Sequence, residues 1–289
     1  MKLIRQTLPL ICLSAVFGGC DDDADEAGAP EAVEIRLPFT AVADGAPVRC
    51  GEAITELGVG ASTAQLRDLR MYVSEIALIN ASGAEIPVTL SPSDWQTEAL
   101  ALLDFEDGAG ACEETGTPEM NTELVGSVPP GEYVGVTFSV GVPDALNHLD
   151  SAAAESPLNL GSMYWSWQTG YKFLRFDLAV EETPWFVHLG STVCDRDEAS
   201  GDTSCQRSNR PRITLTGADP LTHAVQLDVA ALLQDSNVSE NLPDSPPGCM
   251  SSPMEPEDCV SVFEGLGMDF EAGACEGGCG GQRLFTWAE

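Results

Sequence analysis

Leu69-Arg70-Met71-Tyr72-Val73-Ser74-Glu75-Ile76-Ala77-Leu78-Ile79, then Asn80-Ala81-Ser82-Gly83, then Glu85-Ile86-Pro87-Val88-Thr89-Leu90, is the stretch that decides the fold class. The first run is long and apolar-rich, and the small and polar residues after it read as a hairpin connection into a second strand. Upstream, Glu34-Ile35-Arg36-Leu37-Pro38-Phe39-Thr40 alternates with period two. Downstream, strands are expected at Leu102–Phe105, Glu132–Val140, Phe173–Val180, Trp185–His188 and Arg212–Leu215, with two more at His223–Val229 and Arg283–Trp287. Helical signals are weak: Asp228–Leu233 and Cys259–Leu266 each suggest a turn or two. Many short strands with Gly/Pro-rich connections predict a mainly β chain, a β-sandwich-like single domain with disulfide-stapled loops.

The N-terminus reads as an export signal. Lys2 and Arg5 precede an apolar run from Leu8 to Phe17 that is too short to span a bilayer, and the run ends at Gly18-Gly19-Cys20. Small residues before this cysteine resemble the lipobox of bacterial lipoproteins, so Cys20 is the expected lipidation site, with an ordinary secretory signal as the alternative. Residues 1–19 are then a lipoprotein signal peptide and residues 20–33, rich in Asp and Glu, an acidic tether. Residues 34–289 form the β domain, in which the Pro-, Gly-, Ser- and Cys-rich segment 236–281 reads as a disulfide-rich flap.

Thirteen basic residues against 46 acidic ones give a formal charge of −33. Loss of residues 1–19 removes Lys2 and Arg5 and no carboxylate, leaving 11 against 46, or −35. Such a surface repels nucleic acid and anionic membranes. The acidic residues are scattered rather than clustered, which favours solubility and compositional bias over attraction for cations. Beyond Cys12 and Cys20, eight cysteines remain, an even number that in an exported chain points to disulfides. Short loops select Cys194–Cys205, Cys249–Cys259 and Cys275–Cys279, which leaves Cys50–Cys112.

Conventional enzyme signatures are missing: no Gly-rich phosphate loop, no His-Glu-x-x-His and no Gly-x-Ser-x-Gly. The chain has three histidines. His148 lies in Leu146-Asn147-His148-Leu149-Asp150, and His188 in Pro184-Trp185-Phe186-Val187-His188-Leu189-Gly190-Ser191-Thr192. Between them stands the aromatic block Met163-Tyr164-Trp165-Ser166-Trp167-Gln168-Thr169-Gly170-Tyr171-Lys172-Phe173. Isolated histidines are by default structural, with metal ligation as the sharper reading; an aromatic block is by default core filling. Asp104, Glu106 and Asp107 before Gly108 miss the EF-hand spacing and read as a solvated loop.

From Leu37 to about Trp287 the chain resembles the MbnP-like family, the metallo-mystery-pair four-Cys-motif proteins. The resemblance is carried by Leu37-Pro38-Phe39, Leu69–Ile79, Ala101-Leu102-Leu103-Asp104-Phe105-Glu106-Asp107-Gly108, Gly141-Val142-Pro143 with Leu146-Asn147-His148, the block Trp165–Phe173, His188-Leu189-Gly190-Ser191-Thr192 with Cys194, and Gly248-Cys249-Met250-Ser251. It departs from the family at the acidic lipidated N-terminus and the Cys275/Cys279 pair. The resemblance implies a periplasmic, non-enzymatic copper-binding protein made alongside a MauG-like di-haem peroxidase-type partner that oxidises a tryptophan to kynurenine. It points to His148 and His188 as ligands, and to Trp167 or Trp165, then Trp185, as the oxidised residue; His223 is left structural. The chemistry is coherent, because intact indole offers a metal no lone pair whereas an opened ring offers an aniline nitrogen and a ketone. The competing reading is an interaction or structural lipoprotein without metal, its aromatic block a core or docking face. A weaker third is a hydrolase with a histidine base.

Overall fold

The computed structural model describes residues 31–165, 170–181, 183–254, 256–275 and 278–288. The strand built on the opening stretch runs beyond the apolar run itself, over Ser62–Asn80, 19 residues. At roughly 3.3 Å per residue it is long enough to change partners along its length. Its first part pairs with Ala53–Leu57 and Leu174–Val180, its middle with Leu100–Asp104, and its last part with Tyr133–Val140 and Glu85–Pro87. Thr183–Leu189 and Arg212–Thr216 extend this eight-stranded sheet on its two sides. The long strand ends where the Asn80 side chain accepts the amides of Ser82 and Ala84, both at 3.0 Å, a local bond that reverses the chain.

A second, six-stranded sheet runs in the order Phe285–Trp287, Val225–Asp228, Val33–Ala43, Glu123–Val128, Thr89–Leu90, with Ala46–Pro47 on the margin of Val33–Ala43. Along Val33–Ala43, Ile35, Leu37, Phe39 and Ala41 are buried while Glu34, Arg36, Pro38 and Thr40 are exposed. One face is therefore free to meet the large sheet. The meeting point is Phe138, with Phe39 edge-on at 5.7 Å and Phe285 edge-on at 5.2 Å. Side chains of both sheets share one hydrophobic cluster, so the fold is the expected mainly β, sandwich-like one. Among the described residues no helix is long and apolar enough to cross a membrane.

Disulfides join Cys50 to Cys112, Cys194 to Cys205, Cys249 to Cys259 and Cys275 to Cys279. The segment 236–281 is part of the core rather than a cover over it: Val238, Cys249, Val262, Phe263, Leu266 and Met268 are all buried. Its helix, Pro256–Gly265, presents Phe263, and Arg207 lies over the rings of Phe263 and Phe270. The solvated-loop reading of Asp104–Asp107 is corrected, since Asp104 and Glu106 are fully buried. The cause is Arg70, whose guanidinium Glu106 faces at 3.7 Å. The hairpin Thr192–Arg196 with Thr203–Arg207 was not predictable by alternation, being polar but for the exposed Val193 and tied by Cys194–Cys205.

Candidate metal centre

Successive side chains of a strand point to opposite faces. Across Ser62–Asn80, Leu174–Val180 and Thr183–Leu189 this rule separates two interiors. On one face Leu69, Phe176 and Val187 stand side by side, with Leu178 beside Trp185. On the other, Asp68 lies opposite Asp177 and Arg70 opposite Arg175, with His188 next to Arg175. Like charges set directly opposite repel. They are held because each guanidinium takes a carboxylate on its own strand: Arg70 Nε donates to Asp68 Oδ1 at 2.9 Å and Arg175 Nε to Asp177 Oδ2 at 2.8 Å. Arg175 also reaches Asp68 diagonally at 3.0 Å, and the Thr115 hydroxyl donates to Asp68 at 3.0 Å. Burial pushes the carboxyl of Asp104, at the far end of this grid, up to about 7.

His188 closes the near end. Its Nε2 is 2.6 Å from Asp177 Oδ1, and the residue is 8% exposed. Burial works against ionisation of Asp177, but the hydrogen bond to His188 and the charge and hydrogen bond of Arg175 outweigh it and hold the carboxyl below its ordinary range. An ionised Asp177 makes Nε2 the protonated nitrogen and leaves the lone pair on Nδ1, which has no hydrogen-bond partner among the described residues. Burial lowers the His188 pKa against the pull of Asp177, so the ring is neutral. A carboxylate behind one nitrogen and an open second nitrogen is the arrangement that orients a metal-ligating imidazole.

The backbone of His188 is pinned by the segment Gly248–Ser251. The His188 amide donates to the Cys249 carbonyl at 2.8 Å, the Cys249 amide to the Phe186 carbonyl at 2.8 Å, and the Ser251 hydroxyl to the His188 carbonyl at 2.9 Å. Gly248 permits this approach: its φ is +69°, and a Cβ there would lie 2.3 Å from the Phe186 carbonyl oxygen. Met250, half-buried, follows next along this register.

His148 is positioned differently, at the C-terminal end of the four-residue helix Asp144–Asn147. The Asn147 side chain accepts the Tyr171 amide at 2.9 Å, and its Nδ2 lies 3.2 Å from His148 Nε2. Cys205 Sγ is 3.3 Å from the same nitrogen. A cavity of about 220 Å³ beside the ring is lined by Asp144, His148, Thr203, Ser204, Cys205 and Ser208.

A two-stranded ribbon links the two histidines: Tyr164 pairs with Tyr171 and Trp165 with Gly170. His148 packs on the Gly170 arm, where an added Cβ would lie 3.3 Å from its Cε1. Trp165, buried, sits on the other arm with its ring 6.3 Å from that of His188. Gly190 lets the indole lie this close, since a Cβ there would be 2.5 Å from Trp165 Cζ3. Trp167 and Cys20 lie outside the described residues. Trp185 is buried beside Leu178 on the apolar face, an odd number of residues from His188 and therefore on the other side of the sheet. His223 is exposed, near the Trp287 ring at 6.4 Å. Asp177 and Arg175 were missed by motif reading; their signal was two charged residues in alternating positions inside the otherwise apolar strand Leu174–Val180.

Compared with known proteins, residues 32–251 match the family model described as MbnP. The fold is similar to the solved structure of MbnP from Methylosinus trichosporium, with a TM-score of 0.80, 31% sequence identity, and coverage of 89% of this chain and 99% of that one. No curated protein matches the chain.

Proposed function

The chain belongs to the MbnP family, and from that premise we propose that it is an exported copper-binding lipoprotein, anchored through Cys20 in the periplasm or cell envelope. It captures or handles the metal and turns over no substrate. The observation that carries this reading is the His188–Asp177 pair, a neutral imidazole with a carboxylate 2.6 Å behind one nitrogen and no hydrogen-bond partner on the other among the described residues. Metal ligation requires the neutral ring, and burial supplies it without waiting for alkaline pH. His148 is the second imidazole, and Met250, which continues the register pinning His188, is a soft donor suited to Cu(I).

The residues fit an oxidised tryptophan as well. Trp165 stands within ring-contact range of His188, and Trp167 belongs to the same block. Oxidation of either to kynurenine by a MauG-like di-haem partner opens the pyrrole ring and creates an aniline nitrogen and a ketone; at Trp165 these arise beside the His188 ring. Trp185, on the apolar face, is the least suited of the three candidates. Copper at this site is cargo; the role of the chain's own residues is to keep His188 neutral, to aim its Nδ1 and to exclude water with the Trp165 ring and the Phe186 ring, which stacks on His188 at 5.4 Å.

The test is metal analysis with intact mass and peptide mapping of protein purified from its own host, partner present. Copper retained through dialysis, lost in His188→Ala, together with kynurenine at Trp165 or Trp167, is the expected result. No copper and intact tryptophans would overturn it in favour of a structural or interaction lipoprotein whose aromatic block is core or docking face.

A further inference from the structure

Among the described residues, two groups of metal-capable side chains outside the His188 pair place their ligand atoms within 4.8 Å of one another: His148 with Cys194 and Cys205, and Glu106 with Cys50 and Cys112. The second is closed. Cys112 is fully buried, and the Glu106 carboxylate is occupied by the amides of Gly108 at 3.0 Å and Thr117 at 3.2 Å and by the charge of Arg70. The first is open: His148, Cys194 and Cys205 are each half-buried, and the cavity of about 220 Å³ reaches His148 and Cys205.

The four disulfides differ in access in the same way. Cys112, Cys249, Cys259 and Cys279 are buried at 0–4% exposure, so three of the bridges each contain at least one shielded sulfur. Cys194–Cys205 alone has neither cysteine buried. It joins directly opposed residues of a polar hairpin, so its loss leaves the two sulfurs facing across one ladder position. Thiol–disulfide exchange is governed by the access of an attacking thiolate to a sulfur. Among these four bridges, access selects this one.

We propose that Cys194–Cys205 is a reducible bridge, and that its reduced form, with His148, is a second, redox-gated site for a soft monovalent metal ion, Cu(I). The reductant is a dithiol. One of its thiolates attacks a bridge sulfur, the S–S bond breaks, and a mixed disulfide forms with release of a cysteine thiolate. The second reductant thiol then resolves the mixed disulfide, so that two electrons and two protons pass to the pair and the dithiol leaves as its own disulfide. Two thiolates and one imidazole are a soft donor set of low coordination number, which selects Cu(I) over hard divalent ions. His148 is thereby shared between two donor sets, and the thiol state of the hairpin decides how tightly metal is held at its end of the ribbon. The inference uses the copper reading only for the choice of metal; its geometry does not depend on His188.

The experiment uses the full mature chain. The protein is reduced stepwise with dithiothreitol, freed of reductant without air, and divided between iodoacetamide peptide mapping and titration with Cu(I) supplied as its bicinchoninate complex. The expected result is that Cys194 and Cys205 are alkylated before the other six cysteines, and that the reduced protein takes up one more Cu(I) than the oxidised protein. The extra uptake disappears in the Cys194→Ser, Cys205→Ser double variant, weakens at least about tenfold in His148→Ala and survives in His188→Ala. Earlier reduction of another bridge, or equal Cu(I) uptake in the two states, overturns the proposal. Should the double variant misfold, His148→Ala with the bridge intact still decides, since unchanged extra uptake there overturns the three-ligand site. Copper held by the oxidised protein with no gain on reduction would sink this inference and leave the His188 site standing. Gain on reduction with none held before would do the reverse.

Discussion

His188 and His148 offer the same imidazole through two different kinds of structure. His188 grows from the third of three laterally bonded strands, on a face where Asp177, Arg175, Asp68 and Arg70 fix one another. Its neighbour across the strand and the segment Gly248–Ser251 along it leave the ring one orientation. His148 hangs from a four-residue helix and leans on a polar hairpin held by one bridge. The first ligand is held by bonded strands and a buried charge grid, and the second by a short helix and a disulfide-tied hairpin. In the proposed copper site, one ligand of each kind would hold the metal firmly at one end and let the grip change at the other.

The largest effect should come from breaking the grid. Asp68→Ala leaves Arg70 and Arg175 buried without their shared carboxylate, and loss of one partner from a buried ion pair costs about 3–5 kcal/mol. Urea unfolding measures this; a loss near zero would mean the grid does not define the His188 end. Next, Asp177→Asn keeps the shape but removes the charge that fixes the tautomer. Copper affinity by chelator competition should fall about 10- to 100-fold, and an unchanged affinity would place the metal away from His188.

Asp104→Asn sharpens the comparison through pH. With its pKa raised from 3.8 to about 7, folded Asp104 keeps a proton that the unfolded chain has released. Stability therefore falls as pH rises through that window, by at most about 1.4 kcal/mol per unit from this group. The asparagine variant should show a flatter profile between pH 4 and 7, and an identical slope would remove Asp104 from the account. The smallest effect is expected for His148→Ala, within about 0.5 kcal/mol of the parent stability, as for substitutions away from a packed core. A cost comparable to that of His188→Ala would erase the distinction between the two ends.

Much of this arrangement was legible before the fold was known. Alternation in Val33–Ala43 and the run from Leu69 located the two sheets, and short loops between cysteines selected the bridges. The same alternation already sets Trp185 and His188 on opposite faces. What periodicity does not carry is whether the polar phase of a strand meets water or a second interior. Arg175 and Asp177 look like the solvent side of an amphipathic strand until the Ser162 carbonyl and the His188 ring meet them. Asp104 and Glu106 were misread for the same reason. The contact of His148 with Cys205, 57 positions apart, exists only through the tertiary fold.

Gly248–Ser251 has a consequence in time rather than in space. The Ser251 hydroxyl that holds the His188 carbonyl lies 63 positions later in the chain. A polypeptide that crosses a membrane from its N-terminus delivers both histidines well before that clasp. Contacts of such long sequence separation are also slow to close, because the intervening chain must first be ordered. The clasp on His188 therefore closes only after residue 251 has been delivered, so on the proposed reading a chain still in transit lacks the finished imidazole site. On that reading, timing of assembly itself restricts where the ion would be loaded.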